Sequence, residues 1–271
     1  MEKLIITACI TGAEIDKKDF PNLPASPEEQ AEEAWACRMA GASIIHLHVR
    51  NEKGESTQDR VYFERAMKAI KEKAPDLIIQ PSTGGSVGMT AEERLQPVTL
   101  KPEMATLSCG TVNFGDEVFM NTPLNIEAFA KKMKEEGVKP EIEVFDAGMI
   151  NNALTLVKKD LVKMPLHFDF VMGVPGGIPG TPKNLLHLVE SIPAGCTWSV
   201  AGIGRTELPL GVMAIIMGGH VRVGFEDNIY YKKGESCKSN AQLVARIARL
   251  AGELGREVAT PEEARVILGL K

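Results

Sequence analysis

Apolar segments rich in β-branched residues recur along the chain, and segments with helical periodicity separate them. Each apolar segment is short and is bounded by glycine, proline or polar residues, which is typical of a buried strand. Strands that alternate with helices are predicted to be parallel, because each helix carries the chain back to the starting edge of the sheet. The predicted strands span residues 4–12, 43–49, 77–83, 104–110, 141–147, 167–173, 197–203 and 220–226.

A helix signal follows every predicted strand. The first one has Ser26 as an N-cap, Pro27 in the first turn and Gly41 as a terminator, and another covers residues 90–98. No serine-, proline- or glycine-rich linker divides the chain. Eight strand–helix units in a chain near the typical length of about 250 residues favour a (β/α)8 TIM barrel over a doubly wound open sheet. We therefore predict a single catalytic barrel domain, an α/β fold, over residues 1–271.

Composition narrows the function to small-molecule chemistry. The 271 residues carry a formal net charge of −5, which gives no support for binding nucleic acid or an anionic membrane. The five cysteines are odd in number and never form a CxxC pair, so neither a disulfide framework nor a zinc ribbon is indicated. The N-terminal apolar run is too short for a signal peptide, and no run reaches the roughly 18 residues of a membrane-spanning helix. We expect a cytoplasmic protein with neither nucleic-acid nor membrane partners.

Two histidines stand in the second predicted strand, in the stretch IIHLHV. Side chains two residues apart share one face of a strand, so His46 and His48 are expected to point together into the barrel. Glu226 lies near the carboxyl end of the eighth strand, and strands two and eight both flank strand one in a closed barrel. Two imidazoles and one carboxylate form an open, catalytic type of zinc site, although non-haem iron accepts the same ligands. The alternative interpretation is that the histidines are hydrogen-bonded core residues and that Glu226 caps the last helix.

Other polar residues are expected at the same end of the barrel, where the active sites of such folds lie. The alternation of side chains along the eighth strand predicts that Arg222 points into the barrel. There it either forms a buried ion pair with Glu143 or Asp227 or stabilises charge on a substrate. Glu14 is either an exposed loop charge or a contact for a cationic group of the substrate. The turn QPSTGGS offers hydroxyl and backbone N–H groups for a carboxylate. The candidate substrate-binding residues on these strands are Ser82, Thr83, Gly85, Thr106 and Ser108.

The remaining histidines are interpreted as structural: they are His167, His187 and His220. The glycine-rich turn GGIPGTPKNL after the sixth strand matches neither a P-loop nor the GxGxxG fingerprint of dinucleotide-binding proteins. Nucleotide binding through those motifs is therefore disfavoured.

Six segments in this order resemble the β-keto acid cleavage enzyme family across nearly the whole chain: GASIIHLHVR, QPSTGG, EVFDAGM, GGIPGTPKNL, WSVAGIGR and HVRVGFEDN. The segment TGAEIDKKDFPNLPASPEEQAEEA is similar to the branch of that family that acts on 3-keto-5-aminohexanoate in lysine fermentation. The resemblance implies a zinc-bearing barrel that assembles as a homotetramer. It also implies an acyltransferase that converts a β-keto acid and acetyl-CoA into acetoacetate and a new acyl-CoA, here 3-aminobutyryl-CoA.

The resemblance also implies roles for individual residues. Ser82 and the backbone after it, with Thr106, would hold the substrate carboxylate, and Glu14 would meet the substrate ammonium. Asp227, steered by Arg222, is the preferred base for removing a proton from the substrate. The full set of implied roles is zinc ligation by His46, His48 and Glu226 and catalysis by Asp227, Arg222 and Glu143.

Two other classes of function are compatible with the residues. Metal-dependent amidohydrolases also use two histidines separated by one residue. They carry the pair on the first strand and further histidines on strands five and six, whereas strand five here offers only carboxylates. A non-catalytic sensor built on the same barrel is the other possibility, but the chain shows no output segment. The same chemistry on a different β-keto acid is also open.

Overall fold

Eight parallel strands form a nearly closed barrel in the computed structural model, which describes residues 2–270. The strands are β1 (Ile6–Cys9), β2 (Ile44–Leu47), β3 (Ile78–Pro81), β4 (Met104–Ser108), β5 (Lys139–Val144), β6 (His167–Met172), β7 (Thr197–Gly202) and β8 (His220–Val223). Hydrogen bonds join them in the order β3, β2, β1, β8, β7, β6, β5, β4. Between β3 and β4, the backbone N–H and the hydroxyl of Thr83 donate to the hydroxyl and carbonyl oxygens of Thr106. The predicted (β/α)8 TIM barrel is confirmed.

Helices follow the strands on the outside of the barrel. They are α1 (Pro27–Ala40), α2 (Arg60–Lys73), α3 (Ala91–Arg94), α4 (Pro123–Glu136), α5 (Gly148–Lys158), α6 (Pro182–Ser191), α7 (Glu207–Met217), α8 (Asn240–Glu253) and α9 (Pro261–Leu268). Three antiparallel hairpins lie outside the barrel sheet: Val49–Arg50 with Ser56–Thr57, Val112–Phe114 with Glu117–Phe119, and Tyr230–Lys232 with Glu235–Ser236. Within residues 2–270, no helix is long and apolar enough to cross a membrane.

The ends of α1 are those that the sequence predicts. The Ser26 hydroxyl accepts a hydrogen bond from the Glu29 N–H, the Glu29 carboxylate accepts one in return from the Ser26 N–H, and Gly41 ends the helix at φ +116°. The predicted helix over residues 90–98 is only partly correct. It forms the single turn α3 and then a 3-10 helix over Gln96–Leu100, because Pro97 has no N–H to continue an α-helix.

The strands end earlier than predicted at the carboxyl side. β8 ends at Val223, so Glu226 extends from a turn rather than from the strand. Gly224 begins this turn at φ +153°, and a Cβ there would lie 2.3 Å from the carbonyl oxygen of Cys9. Phe225 within the turn is fully buried, so the alternation of buried apolar and polar residues continues past the end of β8. Hydrophobic pattern alone therefore does not show where the strand stops.

The amino end of the barrel is closed by α9. Ala264 and Leu268 of this helix pack against a layer of fully buried side chains at the amino ends of the first four strands, which are Ile5, just before β1, and Ile44, Ile78 and Met104. Burying each isoleucine contributes about 1.5–3 kcal/mol relative to leaving it exposed.

Above that apolar layer, the interior is polar, whereas the interiors of such barrels are usually filled by valine, isoleucine and leucine. The buried polar residues that contact one another across the strands include His46, Gln80, Glu141, Glu143, His167, Asp169, Ser199 and Arg222. This composition indicates a functional interior.

Candidate active site

His46, His48 and Glu226 lie together at the carboxyl end of the barrel. One ligand atom from each lies within 4.8 Å of the others. Glu226 Oε2 is 3.4 Å from His46 Nε2, and Glu226 Oε1 is 3.6 Å from His48 Nε2. Among residues 2–270, neither His46 Nε2 nor Glu226 Oε2 has a hydrogen-bond partner. Buried polar atoms without partners are costly, so this donor set fits a metal ion that would satisfy them.

The backbone around Glu226 explains how it reaches the histidines. The Glu226 N–H donates to the Cys9 carbonyl oxygen at 3.2 Å, which ties the turn after β8 to the end of β1. Gly12 takes φ +68°, and a Cβ at this position would lie 2.8 Å from Cγ of Glu226. Only glycine leaves room there, so the loop after β1 can close over the Glu226 side chain.

Arg222 is the centre of a buried network of carboxylates. Its Nε and Nη2 donate to the two carboxylate oxygens of Asp227 at 2.9 and 3.0 Å. Its Nη2 also donates to Glu226 Oε1 at 2.6 Å, and its Nη1 donates to Glu143 Oε1 at 3.3 Å. The sequence left Glu143 and Asp227 as alternative partners, and the structure pairs Arg222 with both.

Asp169 is a fourth carboxylate at Arg222 that the sequence analysis missed. Its Oδ2 lies 3.5 Å from Nη1 of Arg222, and its Oδ1 accepts a hydrogen bond from the Ser199 hydroxyl at 2.6 Å. Burial raises the pKa of Asp169 to about 8. The alternation of phenylalanine and polar residues in HFDFVM was the available signal, because it places Asp169 on the opposite face of β6 from the phenylalanines.

Asp227 and Glu143 are the two candidate acid–base groups. Burial raises the pKa of both carboxyl groups, although Arg222 opposes the shift. The Cys9 thiol donates to Asp227 Oδ2 at 3.0 Å, and the Ser108 hydroxyl donates to Glu143 Oε2 at 2.7 Å. Carboxyl groups with raised pKa values are suited to proton transfer near neutral pH.

Glu226 is shifted in the opposite direction. Burial would raise its pKa, but Arg222 and the two imidazoles hold that pKa well below the usual range. The carboxylate therefore stays ionised, which is the form that binds a metal.

A cavity of about 290 Å³ opens above these groups, close to the lower end of the range of about 300–1,000 Å³ that is usual for small-molecule sites. Its polar lining comes from the candidate residues Glu14, His48, Ser82, Glu143, Arg222, Glu226 and Asp227, together with the backbone of Gly84 and Gly85. Its apolar lining includes Val87, Phe114, Phe119, Phe145, Val171, Val174 and Ile203. A small substrate would therefore meet charge at the floor and apolar side chains along the walls.

Glu14 stands at the mouth of this cavity and is exposed to solvent. Partial burial raises the pKa of its carboxyl group, and the positive charge of Arg50 opposes that shift. Arg50 also donates from Nη2 to the Ile15 carbonyl oxygen at 3.0 Å, which anchors the loop that carries Glu14. A carboxyl group is thus held at the solvent-exposed edge of the cavity.

The other predicted substrate-binding residues separate into two groups. Ser82 and Gly85 line the cavity. In the described part of the chain, Thr83, Thr106 and Ser108 are not among the lining residues: Thr83 and Thr106 hydrogen-bond to each other, and Ser108 bonds to Glu143. Direct substrate contact by these three residues stays a prediction.

Comparison with known proteins adds evidence of ancestry. Residues 3–270 match the family model described as beta-keto acid cleavage enzyme. The chain is 58% identical to the "3-keto-5-aminohexanoate cleavage enzyme" of Fusobacterium nucleatum over 272 residues, which cover 100% of this chain and 99% of that protein. It is also 58% identical to the enzyme of the same name from Acetoanaerobium sticklandii, over 100% of this chain and 99% of that protein.

A more distant relative and a solved structure extend the comparison. The chain is 39% identical to the "3-oxoadipate:acetyl-CoA acetyltransferase" of Cupriavidus necator, over 98% of this chain and 94% of that protein. The ternary complex of ObcA with a C4-CoA adduct and oxalate superposes with a TM-score of 0.79 at 21% identity, over 92% of this chain and 68% of that one. At that identity, the structural likeness supports the barrel fold alone.

Proposed function

We propose that this chain, which belongs to the beta-keto acid cleavage enzyme family, condenses 3-keto-5-aminohexanoate with acetyl-CoA to give acetoacetate and 3-aminobutyryl-CoA. The observation that carries this proposal is the 58% identity, over the whole chain, to two enzymes named for cleaving that keto acid. Glu14 at the cavity mouth supports it, because the substrate ammonium needs an anionic partner. A homotetramer and a place in lysine fermentation are proposed on the family resemblance, and a cytoplasmic location is proposed on the cysteine pattern.

Zinc is the proposed resident metal. His46, His48 and Glu226 would hold it, and three protein ligands leave a coordination position for a substrate oxygen. When bound, the ion supplies Lewis acidity, which favours negative charge on the carbonyl oxygen of the keto acid.

Asp227 is the proposed base. Its carboxylate would take a proton from C2, the carbon between the two carbonyl groups of the keto acid. The hydrogen bonds from Arg222 and Cys9 fix the position of this carboxylate at the cavity floor. The C2 carbanion then bonds to the acetyl carbonyl carbon, the CoA sulfur moves to C3 of the keto acid, and the C2–C3 bond breaks. C1 and C2 leave with the acetyl group as acetoacetate, and C2 regains its proton.

Ser82 and the glycines after it are proposed to bind the substrate carboxylate. The Gly84 N–H already donates to the Ser82 hydroxyl oxygen at 3.0 Å, so the hydroxyl proton of Ser82 stays available to donate to a ligand. Gly85 contributes backbone at the same wall of the cavity. The Thr106 hydroxyl oxygen accepts from the Thr83 N–H, so its own proton is likewise available, and Thr106 is proposed as a second donor to the carboxylate.

The test is an assay of purified protein with acetyl-CoA and β-keto acids that carry cationic, neutral or anionic tails. We expect acetoacetate and an acyl-CoA to form in equal amounts, and to form fastest with the 5-amino substrate. Cleavage of the keto acid without consumption of acetyl-CoA would instead indicate a hydrolase, and no turnover across the panel would indicate a binding protein.

Asp227→Asn tests the base directly. It should lower kcat by about 100- to 10,000-fold, the usual contribution of a general base, while zinc stays bound. Asp146→Asn is the matched control, because Asp146 lies beyond the end of β5, is exposed and accepts a hydrogen bond from the Gly148 N–H. Full activity of Asp227→Asn would remove its assignment as the base.

A further inference from the structure

Gln80 lies in the barrel interior directly beside His46. The two residues are register partners on β3 and β2, and both are fully buried. His46 Nδ1 lies 2.8 Å from Oε1 of Gln80, which is a hydrogen-bond distance. The opposite ring atom, Nε2, lies 3.4 Å from Glu226 Oε2. One edge of the imidazole is therefore held by Gln80, while the other edge faces the proposed metal position.

The contact with Gln80 decides which nitrogen of His46 carries the proton. An amide oxygen can only accept a hydrogen bond, so Nδ1 must donate, and the neutral ring then keeps its lone pair on Nε2. With the amide reversed, its NH2 group would face Nδ1 and the ring proton would move to Nε2, where it would block a metal. The orientation of the Gln80 amide thus selects the form of His46 that can bind a metal.

Glu141 on β5 supplies a reason for that amide orientation. Gln80 Nε2 is a buried donor and Glu141 Oε1 is a buried acceptor, and within residues 2–270 neither atom has a hydrogen-bond partner. Burial alone would raise the pKa of Glu141, but His167 and the nearby amide of Gln80 outweigh burial and lower it. An ionised carboxylate accepts hydrogen bonds only, so it favours the amide NH2 on its side and leaves Oε1 for His46.

His167 holds Glu141 from the far side. Its Nε2 lies 3.3 Å from Glu141 Oε2, and its Nδ1 lies 2.8 Å from the hydroxyl oxygen of Thr197. The series His46, Gln80, Glu141 and His167 therefore crosses the barrel from β2 to β6 beneath the proposed metal.

We propose that Gln80 is a positioning residue for the metal site: it holds His46 in the tautomer and orientation that bind zinc. The inference rests on the proposed function, because it assumes that His46, His48 and Glu226 bind zinc. Residues that hydrogen-bond the far nitrogen of a ligating histidine usually change metal affinity by about 10- to 100-fold.

The test compares zinc affinity among wild type, Gln80→Leu and Gln58→Leu by competition with a chromophoric chelator, in the absence of substrate. Gln58 is a matched control because it is also buried and receives the same substitution, but it donates to the Ser82 carbonyl oxygen instead of contacting a proposed ligand. We expect Gln80→Leu to bind zinc about 10- to 100-fold more weakly and Gln58→Leu to bind it as wild type does. Equal affinity for wild type and Gln80→Leu would overturn the inference.

A measurement on the unaltered chain covers the case in which Gln80→Leu does not fold. In zinc-loaded protein with isotope-labelled histidine, long-range proton–nitrogen spectra should show a proton on Nδ1 of His46. A ring with no proton on Nδ1 would overturn the inference. Wild type that binds no zinc would overturn the proposed metal site and this inference together. Wild type that binds zinc but forms no acetoacetate would overturn only the proposed reaction, and the chelator comparison would still decide the role of Gln80.

Discussion

Replacing Glu14 with glutamine tests whether the mouth of the cavity selects a cationic substrate. The substitution removes one negative charge and keeps the size of the side chain. Glu14 lines the cavity from its exposed loop and is not one of the three proposed metal ligands, so the substitution leaves the chemical groups at the cavity floor in place. Any effect should therefore depend on the charge of the substrate tail.

The size of the effect follows from the exposure of Glu14. Two unit charges about 4 Å apart interact by about 1 kcal/mol in water and by about 4 kcal/mol at an effective dielectric constant of about 20. Because the Glu14 side chain is exposed, solvent screening keeps the contribution near the lower value, about 1 kcal/mol. That free energy corresponds to about a five-fold change in kcat/KM.

The assay measures kcat/KM for the 5-amino keto acid and for a keto acid of equal length with a neutral tail. We expect Glu14→Gln to lose about five-fold on the cationic substrate and to be unchanged on the neutral one. Partial burial raises the pKa of Glu14, so the preference of wild type for the cationic tail should shrink as the pH falls through that raised pKa, and the variant should lack this dependence. An equal loss on both substrates would refute the assignment, because a structural defect does not distinguish their tails.

Three further predictions concern stability and the metal. Gly12→Ala should lower the free energy of unfolding by about 1–3 kcal/mol and weaken zinc binding, because φ is +68° and the new Cβ would lie 2.8 Å from Cγ of Glu226. Thermal unfolding and metal analysis measure the two effects, and unchanged values in both would contradict the packing argument. Burial raises the pKa of the Glu207 carboxyl group from 4.5 to about 8, so the folded state binds the carboxyl proton more tightly than the unfolded state does. The resulting stabilisation is fully present below pH 4.5 and is lost as the pH rises through about 8. Glu207→Gln should remove that slope, at most about 1.4 kcal/mol per pH unit, from urea unfolding measured across this range. Chelation should lower the melting temperature and added zinc should restore it, because a ligand present at about 100 times its Kd stabilises the folded state by about 2.7 kcal/mol. A melting temperature that responds to neither treatment would argue against a metal at His46 and His48.

The barrel could be predicted from the sequence because its signals are local. Each strand shows its own apolar run and each helix its own start, as at Ser26, so their alternation and number are visible without knowing any tertiary contact. The histidine pair was visible for the same reason, since the two-residue period of a strand places His46 and His48 on one face. The ends of the strands were less predictable, because buried turn residues such as Phe225 continue the apolar pattern.

Contacts across the barrel could not be predicted in the same way. Strand phase indicates that Glu141, Glu143, His167 and Asp169 point inward, but it does not indicate which of them meet. The sequence also does not show that the hydroxyls of Thr83 and Ser108 are already engaged by Thr106 and Glu143, since those pairs are separated by more than twenty residues. Glu226 illustrates the limit: strand phase predicted that it lies near the histidines, and it does, but through the turn at Gly224 rather than through the strand.

Arg222 explains how one site keeps several buried carboxyl groups in different protonation states. Its guanidinium cannot lose its proton, yet its single charge is shared among four carboxyl groups. Glu226 also faces the two imidazoles, and these partners together with Arg222 hold its pKa well below the usual range, so it stays ionised, which is the form that would bind the proposed metal. Within residues 2–270, neither of these imidazoles lies within ion-pair distance of Asp227, Glu143 or Asp169, and burial raises the pKa of all three carboxyl groups. The different surroundings of these carboxyl groups therefore separate their pKa values, so that one group stays ionised while others can exchange protons. The proposed removal of a proton from carbon beside a metal needs both kinds of group.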